Sequence, residues 1–353
     1  MNDGGRQVAG FAPREVNDKG DGMEDLAVVT GGAGFIGSHL VDRLVESGRS
    51  VRVVEKPGAQ VAHLPRAVEV VYADIRERSS LGPMMQGARW VYHLAANPNL
   101  WARDPAEFDR VNFRGTVHVI DTAIGAGVER ILHTSTESIL TKAGSAAVID
   151  ENVEITPEDT VGPYCRSKLL AERYAFEMAR QGYPVVVANP TMPVGPGDRG
   201  LSPPTRLILD FCRGMLPVAM DCTLNLIDVR DAALGIDLVM KRGETGRRYL
   251  LGGSNLTLVG LLQHLSRLTG VPAPRWQVPY PVGLAVAIVS ELWAKFVTGR
   301  MPRATVTGLR LARRLMRFDP ARSLNELGLQ PRSLDESLQD AVNWLRHSGL
   351  LTN

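Results

Sequence analysis

Six short, largely apolar runs punctuate the first half of the chain: Leu26–Val29, Ser50–Glu55, Val68–Tyr72, Trp90–Leu94, Arg130–His133 and Val185–Asn189. Such runs predict short strands, mostly buried on both faces as in a parallel sheet. Between them the apolar period changes to three and four. Leu40, Val41, Leu44 and Val45 share one face of His39–Glu46. Phe108, Val111, Val117, Val119, Ile120 and Ala123 recur over Pro105–Gly125, and a further helix opens near Gly162. The alternation through residue 195 gives six βα-type repeats, which predict an α/β fold with a doubly wound parallel sheet.

Past Gly195 the texture changes. Pro196–Gly200 and Ser202–Pro204 predict a loop. Helices are expected over Thr205–Arg213, Val229–Lys241 and Leu256–Thr269, with strands at Asn225–Ile227, ending in Asp228, and at Arg248–Leu251. The pattern therefore divides the chain into three parts: a polar, glycine-rich leader over 1–24, read as disordered, a parallel-sheet domain over 25–195, and a smaller, mostly helical C-terminal lobe over 196–353 with some segments returning to the core sheet. Within that lobe Pro281–Val297 is the most apolar stretch of the chain. Its uninterrupted run is read as too short to span a bilayer, and Glu291 and Lys295 interrupt it. The favoured reading is a lid helix over a hydrophobic substrate pocket. The other is a peripheral contact of 281–317 with an anionic membrane, helped by Arg300, Arg303, Arg310, Arg313, Arg314 and Arg317. Both point to a greasy substrate.

Composition narrows the class. The 353 residues are 44% hydrophobic and 22% charged, ordinary for a soluble globular protein. A formal net charge of +2 implies no nucleic-acid partner. Cys165, Cys212 and Cys222 are odd in number and lack metal-ligand spacing, so no metal site is expected and a reducing compartment is. The leader lacks the apolar core of a signal peptide. The expected location is the cytoplasm, at the inner face of the membrane in the second reading of 281–317.

The candidate chemistry begins at Leu26–Ser38, LAVVTGGAGFIGS. Strand, glycine turn and helix together form an arrangement that seats a pyrophosphate on a helix N-terminus. Gly31 permits the tight turn, Gly34 lets the backbone approach the phosphates, and Gly37 lets the helix pack close to the strand. Glu55 ends the second strand 24 residues after Gly31, where a carboxylate grips the adenosine ribose hydroxyls. That favours NAD over NADP, although Lys56 beside it could pair with a 2′-phosphate; the alternative for Glu55 is a solvated strand-end charge. Asp74, ahead of Ile75, could accept from the adenine amine or cap the next helix. Ala95-Ala96-Asn97, after Leu94, is small enough for close passage of a cofactor. Thr134-Ser135-Thr136 puts hydroxyls in the crevice at a strand's carboxyl end. Tyr164 and Lys168, at i and i+4, share a helix face, where the ammonium would lower the phenol's pKa and ready it for proton exchange. The alternative is a surface pair.

These residues together resemble the extended short-chain dehydrogenase/reductase superfamily over about residues 25–350: Thr30-Gly31-Gly32-Ala33-Gly34-Phe35-Ile36-Gly37, Glu55, Asp74, Ala95-Ala96-Asn97, Asn112, the hydroxyl after the fifth strand, Tyr164-x-x-x-Lys168 and Asn189-Pro190. Within it the chain is most similar to the hopanoid-associated sugar epimerase and dihydroflavonol-reductase-like group, through Leu100–Pro105, Gly127–Ile131, Asn189–Pro196 and Tyr249–Gly253. The resemblance implies a Rossmann-type NAD(P)-binding domain over 25–195, a substrate-binding lobe beyond it, and a homodimer. It implies Tyr164 as general acid/base, Lys168 holding the nicotinamide ribose, Thr136 positioning the substrate oxygen with Ser135 in reserve, and Asn112 holding helix geometry or a water in the proton path. The cofactor set it implies is Gly31, Gly34, Phe35, Ile36, Gly37, Glu55, Lys56, Asp74, Ile75, Leu94, Ala95, Ala96, Tyr164, Lys168 and Pro190. The expected activity is NAD(P)-dependent reduction of a ketone, or oxidation of the alcohol, on a hydrophobic lipid-pathway substrate of sphingolipid, hopanoid or sterol type. A nucleotide-sugar epimerase or dehydratase is the first alternative, and a non-catalytic dinucleotide-binding protein the second.

Overall fold

A computed structural model describes residues 25–351 apart from Ala146. The leader expected over 1–24 lies outside the described residues. In chain order the N-terminal elements are β1 (Leu26–Thr30), α1 (Phe35–Glu46), β2 (Ser50–Glu55), β3 (Glu69–Tyr72), β4 (Trp90–His93), α2 (Ala106–Phe108), a π-helical turn Asp109–Arg114, α3 (Gly115–Gly125), β5 (Arg130–Thr134), α4 (Gly162–Arg180) and β6 (Val185–Pro190). The later elements are β7 (Met192–Val194), α5 (Pro203–Cys212), β8 (Val218–Ala219), β9 (Thr223–Asp228), α6 (Val229–Arg242), β10 (Arg248–Leu251), β11 (Ser254–Thr257), α7 (Leu258–Thr269), β12 (Trp276–Gln277), α8 (Tyr280–Trp293), a second π-helical turn Ala294–Thr298, α9 (Val306–Ala312), α10 (Ala321–Leu327) and α11 (Leu334–His347).

Seven strands form the main sheet in the order β10-β6-β5-β4-β1-β2-β3, and every pairing is parallel. The doubly wound parallel sheet predicted from the apolar runs is thus the one observed. Both faces are covered, which is why its strands read as near-continuous apolar runs. Ala27, Val29, Val51 and Val53 pack against Leu40, Val41 and Leu44 of α1 and Ile236, Val239 and Met240 of α6. On the opposite face Val28, Val54, Val185 and Val187 pack with Val119, Ile120 and Ala123 of α3 and Ala175 of α4. The strand order reverses between β1 and β4, which opens a crevice at their carboxyl ends.

The chain after Gly195 is interleaved with this sheet rather than set apart from it. β10 supplies its edge strand and α6 one of its covering helices. A separate three-stranded sheet, β11-β9-β7, packs with α5, α7 and α11 around Leu209, Phe211, Leu226, Leu262, Leu265, Leu338 and Leu345.

Several boundaries differ from the sequence reading. Helix α1 begins at Phe35, a full turn before His39, because the glycine turn residues are themselves wound into its first turn. Pro190–Gly195, which carried no strand signal in the sequence, contains β7, whose partners lie on the distant β9. The helix expected from Leu256 starts at Leu258, because the Thr257 side chain accepts from Gly260 N–H and caps it, leaving Ser254–Thr257 to pair with β9. The run thought too short to span a bilayer is one helix, Tyr280–Thr298, of 19 residues, long and apolar enough to cross by length and composition. Nor does it turn its large side chains inward like a lid: Val282, Val286, Val289, Leu292, Trp293 and Phe296 are exposed.

Candidate active site

The glycine turn is built by exclusion. Gly31 takes φ +74°, and a Cβ there would come within 2.7 Å of Ala95 N, so the turn after β1 presses directly on the turn after β4. At Gly37 a Cβ would fall 2.1 Å from Gly31 O, so only glycine lets α1 start this close to the strand. Gly34, in contrast, faces only Gly31 O, at 3.2 Å, leaving its outer side open. Helix α1 follows at once, and Phe35, Ile36 and Gly37 in its first turn precede the first intrahelical bond, from Ser38 N–H to Gly34 O. An open backbone face with unpaired amides at a helix start fits an anionic pyrophosphate.

Glu55 is half-buried at the end of β2, and its Oε1 accepts from Ala33 N–H at 2.7 Å. The carboxylate thus braces the glycine turn from behind, and burial raises its pKa. Lys56 beside it is exposed. Asp74 follows β3 and caps no helix. It accepts from the Arg76 backbone N–H and is gripped by the Arg76 guanidinium at 2.6–3.0 Å, which holds its carboxyl below the usual range. Ile75 is buried and packs against Gly115. Leu94, Ala95 and Ala96 are half-buried at the mouth of the crevice. Leu94 N–H is fixed to Thr30 O at 3.0 Å, and Ala95 N–H to Thr30 Oγ1 at 3.3 Å.

Asn112 lies on the π-helical turn and is 1% exposed. Its Oδ1 accepts from Asn97 N–H at 2.7 Å, and its Nδ2 donates to Asn97 O and to Ser167 Oγ, each at 3.2 Å. Ser167 Oγ in turn donates to Tyr164 O at 2.8 Å. Asn112, grouped with the catalytic residues on sequence, therefore has the geometry of a positioning residue. It ties the turn after β4 to the first turn of α4, and the wide π turn is what brings its amide into that gap.

Tyr164, Thr136, Glu137, Ser138 and Cys165 form a buried cluster where β5 ends and α4 begins. Thr136 Oγ1 donates to Glu137 Oε2 at 2.8 Å and lies 3.1 Å from Ser138 Oγ, and Cys165 Sγ is 3.8 Å from Ser138 Oγ. The Thr136 and Ser138 hydroxyls near it favour the phenolate of Tyr164. Burial outweighs this and, with Cys165 and Glu137 as neighbours, pushes the phenol well above its ordinary value. The expected lowering by Lys168 is not what this arrangement produces. The ammonium is turned to Thr134 O, 2.7 Å away, and is itself brought down to about 8 by burial, with Glu172 opposing. Ser135 Oγ and Thr134 Oγ1 are buried without hydrogen-bond partners among the described residues, which is how groups awaiting a ligand look. Pro190 ends β6, and the adjoining Asn189 Nδ2 donates to Thr136 O at 3.1 Å and to Glu172 Oε2 at 2.7 Å.

The fold thus gathers the cited residues into two neighbouring groups: the turn, helix start and strand ends around β1–β4, and the hydroxyl–phenol–ammonium set around β5 and α4. Sequence reasoning missed Glu137. Its one signal was an acid directly after the hydroxyl row, and only the fold shows that this carboxyl is buried, with a pKa raised to about 7. Tyr164 belongs to an apolar cluster. Phe108 meets its ring edge-on at 6.0 Å, and Leu140, Leu311 and Met316 are among the other members, with Leu100 packed against the cluster.

Comparison with known proteins agrees with this geometry. A putative dihydroflavonol 4-reductase of Synechocystis sp. is 36% identical over 332 residues, spanning 93% of this chain and 96% of the relative. Sterol demethylase protein B of Methylococcus capsulatus is 33% identical over 326 residues, spanning 92% and 99%. The crystal structure of gox2253 superposes with a TM-score of 0.82 at 32% identity, covering 93% of this chain and all of that one. These relatives bear out the dihydroflavonol-reductase-like likeness seen in the sequence. The profile of the NAD dependent epimerase/dehydratase family matches residues 27–252, and with the glycine turn and the Tyr164/Lys168 helix in place this chain belongs to that family of NAD-dependent enzymes.

Proposed function

We propose that this chain is an oxidoreductase that reduces a ketone, or oxidises the corresponding alcohol, on a hydrophobic substrate of the membrane-lipid kind. The observation that carries this reading is the setting of Tyr164. A phenol beside the hydroxyls of Thr136 and Ser138 shares an apolar cluster with Phe108, Leu140, Leu311 and Met316, which suits a small polar oxygen on a greasy skeleton. A sterol-related name on a relative 33% identical over nearly its whole length supports the same substrate class.

In this mechanism the amides at the start of α1 and the open face of Gly34 hold the pyrophosphate of NAD(P), Glu55 the adenosine ribose, and Lys168 the nicotinamide ribose. Leu94, Ala95, Ala96 and Pro190 line the cofactor's path. The bound cofactor supplies the hydride. Thr136 donates a hydrogen bond to the substrate carbonyl oxygen, and Tyr164 delivers the proton to it as charge develops there. A phenol held high by burial keeps its proton until that oxygen becomes basic. The Ser138 hydroxyl beside the phenol then favours the phenolate. Glu55 favours NAD over NADP by repelling a 2′-phosphate.

Tyr164→Phe tests this directly. Turnover of hydrophobic ketones with NADH should fall by about 10²–10⁴-fold, while NADH affinity stays within a few-fold. Near wild-type turnover would remove Tyr164 from the mechanism. NADH should be consumed one for one with ketone and preferred to NADPH. Conversion of a nucleotide sugar with no net NADH consumption would establish the epimerase reading instead.

A further inference from the structure

The most exposed apolar surface on the molecule lies outside the site just described, on the helix Tyr280–Thr298. Its packing is inverted. The face against the body carries small residues, Gly283, Ala287 and Ala294, together with Glu291, whose carboxylate accepts from Val306 N–H at 2.7 Å. The outward face carries Val282, Val286, Val289, Leu292, Trp293 and Phe296, with Trp293 61% and Phe296 73% exposed. Trp276, just before the helix, is 75% exposed. A contiguous patch of this kind on a water-exposed helix signals an interaction surface.

Charge says what it meets. Between Val271 and Arg317 the sequence has eight Lys and Arg and a single acid, Glu291, which is turned inward. That segment is +7, while the rest of the chain, against a total of +2, is −5. Among the described residues Lys295, Arg300, Arg303, Arg310 and Arg313 are in no ion pair, and all five are exposed. Two of them flank the aromatics: Lys295 Nζ lies 5.5 Å from the Phe296 ring and the Arg313 guanidinium 4.8 Å from the Tyr280 ring.

We infer that this helix docks the protein onto an anionic lipid bilayer, lying in the plane of the headgroups with Trp293, Phe296 and their neighbours inserted and the cations on the phosphates. Bulky apolar groups outside, a basic rim and interfacial tryptophans are the chemistry of a helix that rests in an interface. The inner face is held along its length by Ala287, Ala294 and the Glu291–Val306 bond, so the helix lies on the surface although it is long enough to cross. Helix α9 joins this surface to the interior. Leu309 packs on Gly283, and Leu311 belongs to the apolar cluster around Tyr164.

Vesicle co-sedimentation of the full chain tests the inference without reading turnover, so its outcome is independent of the proposed reaction. Vesicles containing phosphatidylglycerol should pellet the protein, phosphatidylcholine vesicles much less, and added salt should release it. Lys295→Gln, Arg300→Gln and Arg303→Gln should each weaken binding about fivefold. The double variant Trp293→Glu/Phe296→Glu, at two exposed positions, should remain folded by circular dichroism yet stay in the supernatant. The inference is overturned if wild type ignores anionic vesicles or if the double variant pellets as well as wild type. It is equally overturned if wild type ignores vesicles and forms a dimer that the double variant breaks, since a second copy would then cover this face.

Discussion

Glu137 offers the sharpest test of the site's electrostatics. Its carboxyl is buried, receives the Thr136 hydroxyl, and has its pKa raised by desolvation from 4.5 to about 7. The fold therefore prefers the protonated acid. Between these two values the unfolded chain has lost the proton and the native state still holds it, so stability falls as pH rises. The full contribution is present below 4.5 and is gone above about 7. At about 1.4 kcal/mol per pH unit the loss is about 3 kcal/mol across the window. Glu137→Gln keeps an oxygen for Thr136 and cannot ionise. Urea unfolding of both proteins at pH 5, 6, 7 and 8 should show the variant gaining on wild type by up to about 3 kcal/mol as pH rises, with unchanged m-values. Catalysis should follow the same proton. The ionised carboxylate draws the Thr136 hydroxyl proton to itself, whereas the neutral acid leaves that hydroxyl free to donate to a substrate oxygen. In wild type, kcat/KM for ketone reduction should fall through a limb near pH 7, and the variant should lack that limb. Parallel stability profiles for the two proteins would refute the burial argument. A retained limb would refute the link to Thr136.

Two further substitutions probe the scaffold. Gly37→Ala would place a methyl 2.1 Å from Gly31 O, so the helix start must move; NADH titration should show affinity falling by more than tenfold and unfolding a loss of about 1–3 kcal/mol, while unaltered NADH affinity would contradict the close-packing account. Asn112→Ala removes three hydrogen bonds and leaves Asn97 N–H and Ser167 short of partners; a loss of about 2–3 kcal/mol in urea unfolding, with kcat lowered and the pH profile of kcat unmoved, is expected for a positioning residue. A shifted pH profile would instead put Asn112 in the proton path.

What was legible in the chain follows from locality. The apolar runs named β1, β2, β4, β5, β6 and β10 because a strand buried on both faces has no polar positions to disguise it. The glycine turn was legible because the positive φ of Gly31 and the approach of Gly37 to Gly31 O are set within a few residues, whereas the press of Gly31 on Ala95 comes only with the fold. Tyr164 and Lys168 were legible because helical spacing is a local rule. The short strands β7 and β11 were not, because each exists only by pairing with β9.

The sequence by itself determined the sheet, the glycine turn and the shared helix face of Tyr164 and Lys168. Tertiary structure decided what those side chains experience. It buried Glu137 and Tyr164 and so raised both, for Tyr164 against the lowering that a neighbouring lysine predicts when the helix is considered alone. It turned Lys168 to Thr134 O and made Asn112 a strut between two turns. It also set Gly283, Ala287 and Ala294 against the body and left the bulky residues of Tyr280–Thr298 facing out, which an unbroken apolar run cannot reveal. Spacing along a chain says which residues share a face. Desolvation, and the direction in which that face points, depend on everything else that packs around it.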